Sequence, residues 1–452
     1  MAVFKIYDLA VLVPSAFLTA WLSVQLALGT KALVGLKCYI PVPGTTNARA
    51  KDQKKQSSAH AHSKEAVKEE DALAQSQVLV YPLSLTTRPY PILKMPELAN
   101  LESLTYSTLL MVIVSGAYGL AVATRVIPAY STAALLLSAS VLLMSMVAML
   151  ATSLLNQTST GEDRVYAMMY SCVGFFVAVA FFASEPEGLF TWSPAGAADA
   201  AASLLTSIVE GAFGKELEVE IEAPMSLLGI VFAIIAACIT AVMHASVLRF
   251  ARAFHAHFNP AKWMEMYMDR ELMDSPRLQL QMVAPMALIM LYLQVVVGDL
   301  LAIDARSLSI ARSAALVATG LLFLSNTRIL VKRYLEIPLI TWYTKKHENL
   351  SGKKKAERAA AWAVVSTLAD VVAATAAKVA MMAVAPGVMY LSCGVLSAGS
   401  AAYAVTKGDS VGRSVEAFVD NSVGFLVTFV GGMWMVVAGM SLWLLRTGTV
   451  RY

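Results

Sequence analysis

The chain has 452 residues, of which 58% are hydrophobic and 15% are charged, and its net charge is +4. Soluble globular domains carry about 25% charged residues, so this composition excludes an ordinary soluble protein. The basic residues are divided among separate loops, which argues against the continuous basic face of a nucleic-acid-binding protein. The apolar residues gather in blocks of about 20, the length at which a helix crosses the hydrocarbon core of a bilayer. The sequence therefore predicts an all-α fold, a polytopic transmembrane helical bundle.

The first apolar block, at residues 9–29, predicts a first transmembrane helix within residues 1–30, because it is longer than the apolar core of a signal peptide. Residues 31–100 are expected to form a cytoplasmic loop. Within this loop, residues 45–77 are polar and lack aromatic side chains, which predicts disorder. Residues 101–452 are expected to form the rest of the bundle, with spans near 103–124, 130–153, 165–184, 225–248, 280–303, 309–331, 360–406 and 421–445.

The block at 360–406 leaves the number of spans open, because it is too long for one helix perpendicular to the bilayer. An interfacial segment that continues into one span gives nine spans. Two spans broken at Pro386 give ten, since proline interrupts a helix. The expected number is therefore about nine, within a range of eight to ten.

Charge in the loops predicts the orientation. The loops at 249–279 and 328–358 are rich in lysine and arginine, the residues that mark the cytoplasmic side. With nine spans, this places the N-terminus outside or in a lumen and the C-terminus in the cytoplasm, while the choice between plasma membrane and endomembrane stays open. The glycosylation sequon at Asn156 falls in an inner loop of this topology, so glycosylation there would contradict it.

Sequence motifs of catalysis are absent from the chain. It contains no P-loop, no H-E-x-x-H motif and no nucleophile elbow. The four cysteines lack metal-ligand spacing, and the pairs His60/His62 and His255/His257 do not converge on one metal in a helix. We therefore expect no enzyme activity, no cofactor and no metal site.

Four ionisable residues fall inside or next to the apolar blocks, namely Asp299, Arg312, Asp370 and Lys378. Charges at membrane depth are costly unless they are paired or hydrated, so these four form a candidate intramembrane polar site and a possible ion pathway. The alternative interpretation is structural. In that case Arg312 pairs with Asp299 or Asp304 across the short turn between the sixth and seventh spans.

Two segments on the predicted cytoplasmic side have the pattern of membrane-surface helices. Phe250, Phe254 and Phe258 recur every fourth residue beside Arg249–Arg252, and Trp342 and Tyr343 precede Lys345–Lys346. Aromatic stripes flanked by basic residues are typical of the interfacial region and of anionic-lipid binding. Both basic pairs are therefore candidate anionic-lipid contacts.

Several stretches of the chain resemble the eukaryotic transmembrane protein 161 family. They are Gly161-Glu162-Asp163-Arg164 followed by VYAMMYSCVGFFVAVAFFASEPEGLF, Val384-Ala385-Pro386, the segment Leu321–Glu348 with Arg328 and a basic end, and the start Met1-Ala2-Val3. The similar order covers most of the chain outside residues 45–100. The resemblance implies a multi-pass membrane protein without established enzyme activity, linked in animals to membrane excitability and to tolerance of oxidative stress. It implies no site residues.

From these observations we expect a non-enzymatic integral membrane protein that modulates ion handling or the activity of partner membrane proteins. The alternative is an ion channel or secondary transporter that uses the intramembrane charges. The expected partners are the lipid bilayer and other membrane proteins, and nucleic acid is not expected.

Overall fold

The computed structural model describes eleven stretches of the chain, and the described residues are overwhelmingly helical. An all-α fold is therefore confirmed. The described stretches are residues 6–42, 77–86, 91–95, 97–127, 130–150, 161–183, 188–213, 225–258, 276–300, 304–347 and 355–447.

The described residues contain thirteen α-helices, two strands, a 3-10 turn and a π-helical segment. The elements are α1 (Ile6–Leu26), α2 (Leu28–Leu33), β1 (Lys37–Val42), β2 (Gln77–Pro82), a 3-10 turn (Ile92–Lys94), α3 (Leu98–Ala123), α4 (Thr132–Leu150), α5 (Gly161–Ala183), α6 (Pro194–Phe213), α7 (Met225–Phe258), α8 (Arg277–Met290), a π-helical segment (Val295–Leu300), α9 (Ala305–Leu335), α10 (Ile337–His347), α11 (Lys355–Ala374), α12 (Ala376–Lys407) and α13 (Ser410–Arg446).

Six helical stretches among the described residues are long and apolar enough to cross a membrane, and three shorter apolar helices accompany them. The chain is thus suited to a membrane-embedded position, while the number of nine spans stays a prediction. The six long stretches are Asp8–Leu33, Leu98–Ala123, Leu227–Ala256, Ala305–His347, Ala376–Lys407 and Ser410–Arg446. The three shorter helices are Thr132–Ala148, Ala167–Ala183 and Ala361–Ala374.

Helix α12 forms the centre of the bundle, and α1 lies at its edge. Every residue from Ala376 to Gly394 is buried. Along α1, by contrast, large apolar side chains such as Phe17 and Val24 are exposed, as expected for a lipid-facing helix. A buried hydrogen bond of 2.7 Å from Tyr118 Oη to Asp8 Oδ1 holds α1 against α3.

Glycine residues bring α9 and α12 into close contact. A Cβ atom at Gly320 would lie 2.7 Å from the carbonyl oxygen of Gly387 and 2.7 Å from the amide nitrogen of Leu391. One at Gly394 would lie 2.9 Å from the carbonyl oxygen of Ser313. Small residues at such crossings let helix backbones pack directly, which stabilises helix pairs in lipid.

The long block at 360–406 is broken at Thr375 and not at Pro386. Helix α12 continues through Pro386, so the alternative of two spans broken at this proline is wrong. A proline inside a helix leaves the carbonyl four residues earlier without its usual donor. Here Ser246 Oγ of α7 donates a 3.0 Å hydrogen bond to the carbonyl oxygen of Met382, which compensates for the missing amide.

Strands β1 and β2 form an antiparallel pair within residues 31–100, a feature that we did not predict. Disorder was predicted at 45–77; residues 45–76 lie outside the described residues, and Gln77 is the first residue of β2. Trp342 of α10 is buried with Tyr39 of β1 and Val365 of α11, and does not lie on the open surface as an interfacial anchor would. Lys346 Nζ lies 4.7 Å from the centre of the Trp342 ring.

Cys38 in β1 is expected to be chemically inert. Its side chain is 3% exposed, and burial raises the pKa of its thiol to about 12. Since the thiolate is the reactive form, only about one thiol in 10⁵ is ionised at pH 7. We expect folded protein to resist N-ethylmaleimide at Cys38 and SDS-unfolded protein to react, as measured by peptide mass spectrometry. The control is Leu85→Cys at an exposed position, which should react in folded protein; equal reaction at Cys38 would contradict its burial.

Candidate functional site

The predicted span at 280–303 is not a continuous helix. Helix α8 ends at Met290, the backbone leaves the helix over residues 291–293, and a π-helical segment follows from Val295 to Leu300. Non-helical backbone at membrane depth is tolerated where it is buried in protein or lines a cavity. The predicted span near 280–303 is therefore interrupted in the part that the structure describes, and its crossing of the membrane stays a prediction.

Backbone groups at this break are bonded by residues 188–193, the segment that precedes α6. The amide of Thr191 donates to the carbonyl oxygen of Tyr292 at 2.9 Å, and the amide of Gln294 donates to the carbonyl oxygen of Leu189 at 3.0 Å. Residues 188–193 thus pair with the interrupted helix like a short strand. Each of these bonds gives a backbone amide or carbonyl at the break a hydrogen-bond partner, which a buried polar group needs.

Arg312 of α9 makes side-chain hydrogen bonds to the helix break and to the segment that pairs with it. Its Nε donates to the carbonyl oxygen of Leu291 at 2.9 Å, and a terminal nitrogen donates to Thr191 Oγ1. Its guanidinium carbon lies 4.5 Å from the centre of the Tyr292 ring. Asp420 of α13 lies within electrostatic range of the same guanidinium. One arginine therefore contacts the break at Leu291 and Tyr292 and the pairing segment at Thr191, and has a carboxylate nearby.

The acidic residues proposed as partners of Arg312 across the outer turn are placed differently. Asp304 caps α9: its Oδ2 accepts a 3.1 Å hydrogen bond from the amide of Ser307, and bonds from Ser307 lower the pKa of this exposed carboxyl. Asp299 lies in the π-helical segment, and its side chain is outside the described part of the structure.

Asp370 and Lys378 lie on two different helices, α11 and α12, with the break at Thr375 between them. Asp370 is exposed and Lys378 is buried. Lys378 precedes Ser397, which lies beside the Arg312 region, by 19 residues of α12, or about 28 Å along the helix. The structure therefore does not gather Arg312 and Lys378 at one place.

A cavity of about 1060 Å³ lies between α3, α9, α12 and α13, at the end of the bundle where α9 and α13 begin. Glycine and alanine residues form much of its wall, including Gly116 and Gly399. Val317 of α9 and Gly394 of α12 line it, each about one turn from the close contact of Gly320 with Leu391. This cavity leads into the bundle and stops where the two helices meet.

Two carboxylates, Glu416 and Asp420, lie on the cavity wall one turn apart on α13. Asp420 Oδ1 accepts a 3.2 Å hydrogen bond from Ser397 Oγ, and Ser313 Oγ lies 3.2 Å from the same Ser397 hydroxyl. Asp420 is ten residues into α13, about 15 Å from the start of the helix. The cavity wall therefore carries two carboxylates along α13 and the hydroxyl of Ser313 on α9.

Sequence reasoning missed Glu416 and Asp420 because we placed the start of the last span at residue 421. Helix α13 begins at Ser410, where Asp409 Oδ1 accepts a 2.8 Å hydrogen bond from the amide of Gly412. That capping pattern was the available signal, since it extends the helix by three turns before the apolar block. The two carboxylates then belong to the spanning helix.

Comparison with protein-family models, with curated proteins and with solved structures gives no match for this chain. The resemblance to the transmembrane protein 161 family therefore stays a prediction. Within the described residues, no group of three or more histidine, cysteine, aspartate or glutamate residues is arranged to hold a metal ion. The carboxylate-lined cavity and the adjoining helix break are the features on which a functional interpretation rests.

Proposed function

We propose that this chain is an integral membrane carrier that binds a small cation in the cavity between α3, α9, α12 and α13 and moves it across the membrane. The observation that carries the proposal is the position of Asp420, on the wall of a large cavity and about 15 Å into a helix long enough to span. Ionisable residues within spanning helices mark substrate or ion pathways. We place this function ahead of modulation of partner proteins because the cavity gives it a specific site.

Charge in the cavity favours a cation. Asp420 has Arg312 within electrostatic range, on a side of α9 that does not line the cavity, while Glu416 adds a second carboxylate to the wall. Arg306 also lines the cavity but is exposed near the opening, where solvent screens its charge. Ser309 and Ser313 on the cavity wall supply hydroxyl oxygens that can replace part of the hydration shell of the ion.

The helix break supports movement as well as binding. Membrane carriers place their sites beside discontinuous helices, because a break lets one half of a helix move relative to the other. Arg312 bonds to the break at Leu291 and lies near Asp420. A cation bound to Asp420 would neutralise its carboxylate and weaken its electrostatic attraction for Arg312. Because Arg312 also bonds to Leu291, this change would reach the helix break.

The test is cation flux in liposomes that contain the purified full chain. We expect Asp420→Asn to lower the flux of the transported ion at least about tenfold, since a carboxylate that binds a desolvated charge is removed. Sodium, potassium and proton fluxes are measured separately with ion-sensitive dyes. The matched control is Asp304→Asn, at the same end of the bundle, which is exposed and keeps a good helix cap.

Three outcomes decide this proposal. Flux in the wild type and in Asp304→Asn but not in Asp420→Asn supports it. Equal flux in the wild type and in Asp420→Asn overturns the assigned site. No cation flux above that of empty liposomes overturns the carrier function and favours a modulator of other membrane proteins.

A further inference from the structure

A second, smaller cavity lies at the opposite end of the bundle, and its lining is basic. Arg333 in this cavity follows Ser313 by 20 residues of α9, about 30 Å along the helix. The volume of the cavity is about 150 Å³. Two helical faces line it at intervals of three and four residues. The lining residues are Arg249, Arg252, Ala253 and Ala256 from α7, and Leu330, Arg333, Tyr334, Glu336, Ile337 and Ile340 from the end of α9 and the start of α10.

The lining includes three guanidinium groups and one carboxylate. Arg333 and Glu336 form an ion pair of 2.8 Å, and their side chains are only 8% and 2% exposed. Arg249 lies with its guanidinium carbon 5.6 Å from the centre of the Tyr334 ring, which orients it toward α9. Positive charges therefore exceed negative charges among the lining residues, in a partly buried site where electrostatic attraction is stronger than in bulk water.

We propose that this cavity binds a single phosphate group, in a phospholipid headgroup or in a soluble phosphate ester. Guanidinium groups from two facing helices match the oxygens of a phosphate with paired hydrogen bonds. The volume accommodates one such group. Ala256, Ile337 and Ile340 add apolar surface beside the charges, as the glycerol and acyl parts of a lipid require.

The position of this cavity in the bundle favours a phospholipid as the source of the phosphate group. The loops that follow α7 and α9 are the two basic loops expected in the cytoplasm, and the cytoplasmic leaflet carries the anionic lipids. Arg249 and Arg252 were candidate anionic-lipid contacts from the sequence, and the structure adds Arg333 from a distant part of the chain. This site is independent of the proposed cation cavity.

The test is native mass spectrometry of the purified full chain in neutral detergent with dioleoyl phosphatidylglycerol, dioleoyl phosphatidylcholine or inorganic phosphate. We expect retention of one anionic ligand by the wild type. Arg252→Gln should weaken its binding about tenfold, because a hydrogen-bonded charge is lost. Arg249→Gln is the second variant, and Arg333 is left intact because its loss would leave Glu336 buried without its ion-pair partner. Thermal unfolding checks that each variant is folded.

The control is Arg446→Gln, an exposed arginine at the end of α13 and outside the cavity. Weaker binding of phosphatidylglycerol in both cavity variants but not in Arg446→Gln identifies a lipid phosphate. The same pattern with inorganic phosphate, without phosphatidylglycerol retention, identifies a soluble phosphate ester as the ligand. Equal binding of each anion by the wild type, Arg252→Gln and Arg249→Gln overturns the site, and so does retention of none of them.

Discussion

Replacing Gly320 by alanine is expected to lower the free energy of unfolding by about 1–3 kcal/mol, because the new methyl group overlaps the backbone of α12. The atoms it would meet are the carbonyl oxygen of Gly387 and the amide nitrogen of Leu391, each 2.7 Å away. Neither can turn aside as a flexible side chain would, so the two helices have to separate. Gly320→Val, with two further methyl groups, is expected to leave little folded protein in detergent.

The measurement is unfolding by increasing SDS in mixed micelles, followed by circular dichroism and size-exclusion chromatography. The matched control is Gly432→Ala in α13, where no atom lies within 4 Å of the added methyl group. That change should be neutral or stabilising by up to about 1 kcal/mol, since alanine is the better helix former. Equal stability of Gly320→Ala and Gly432→Ala would show that α9 and α12 do not meet as described.

The α9–α12 contact also determines the depth of the cation cavity. Ser313 and Gly394 meet near the cavity, and Gly320 and Gly387 meet about two turns further along α9. Forcing the helices apart at Gly320 would therefore extend the cavity toward the opposite end of the bundle. A variant such as Gly320→Ala that remains folded is expected to leak ions without selectivity, which distinguishes it from Asp420→Asn.

Hydropathy predicted the helices that depend on local sequence. The predicted span at 103–124 corresponds to α3, and that at 309–331 falls within α9. Apolar residues over a full bilayer thickness have few alternatives to a helix, because every backbone group in lipid needs an internal partner. Helices of this kind can be located from composition alone.

Features that depend on distant partners were not predictable. Strand β1 pairs with β2 across 34 intervening residues, and neither segment has a partner nearby in sequence. The helix break at residues 291–293 is apolar like its neighbours and is stabilised by Thr191 and Arg312. At Pro386 the sequence favoured a possible break that the structure does not have. The helix continues there because Ser246 donates a hydrogen bond to the carbonyl that Pro386 leaves without an amide donor.

Prediction of the candidate site failed for a related reason. Charged residues were selected by their position inside apolar blocks, which identified Arg312 but set Asp420 just outside the last block. The two residues are 108 positions apart, and only the packing of α9 against its neighbours places them in electrostatic range. The predicted span began at 421, eleven residues after the start of α13 at Ser410, and this error left the carboxylate outside the span.

Arg312→Gln is expected to destabilise the protein by about 3 kcal/mol or more, because two charge-assisted hydrogen bonds at the helix break are lost. The carbonyl oxygen of Leu291 loses its bond from the guanidinium, and Asp420 loses the nearby positive charge. SDS unfolding measures the global effect. Hydrogen exchange at Gln294, whose amide bonds to Leu189, measures the local effect and should become faster.

Arg306→Gln is the matched control, because Arg306 is an exposed arginine on the same helix. Its stability and its exchange at Gln294 should equal those of the wild type. Arg312→Lys separates the two roles of Arg312, since lysine keeps the charge near Asp420 but lacks the planar fork that reaches Leu291 and Thr191 together. Fast exchange at Gln294 in Arg312→Lys, with cation flux retained, would show two separate roles. The hydrogen bonds of Arg312 would stabilise the helix break, and its positive charge would act on Asp420. Unchanged exchange in Arg312→Gln would mean that residues 188–193 hold the broken helix without Arg312.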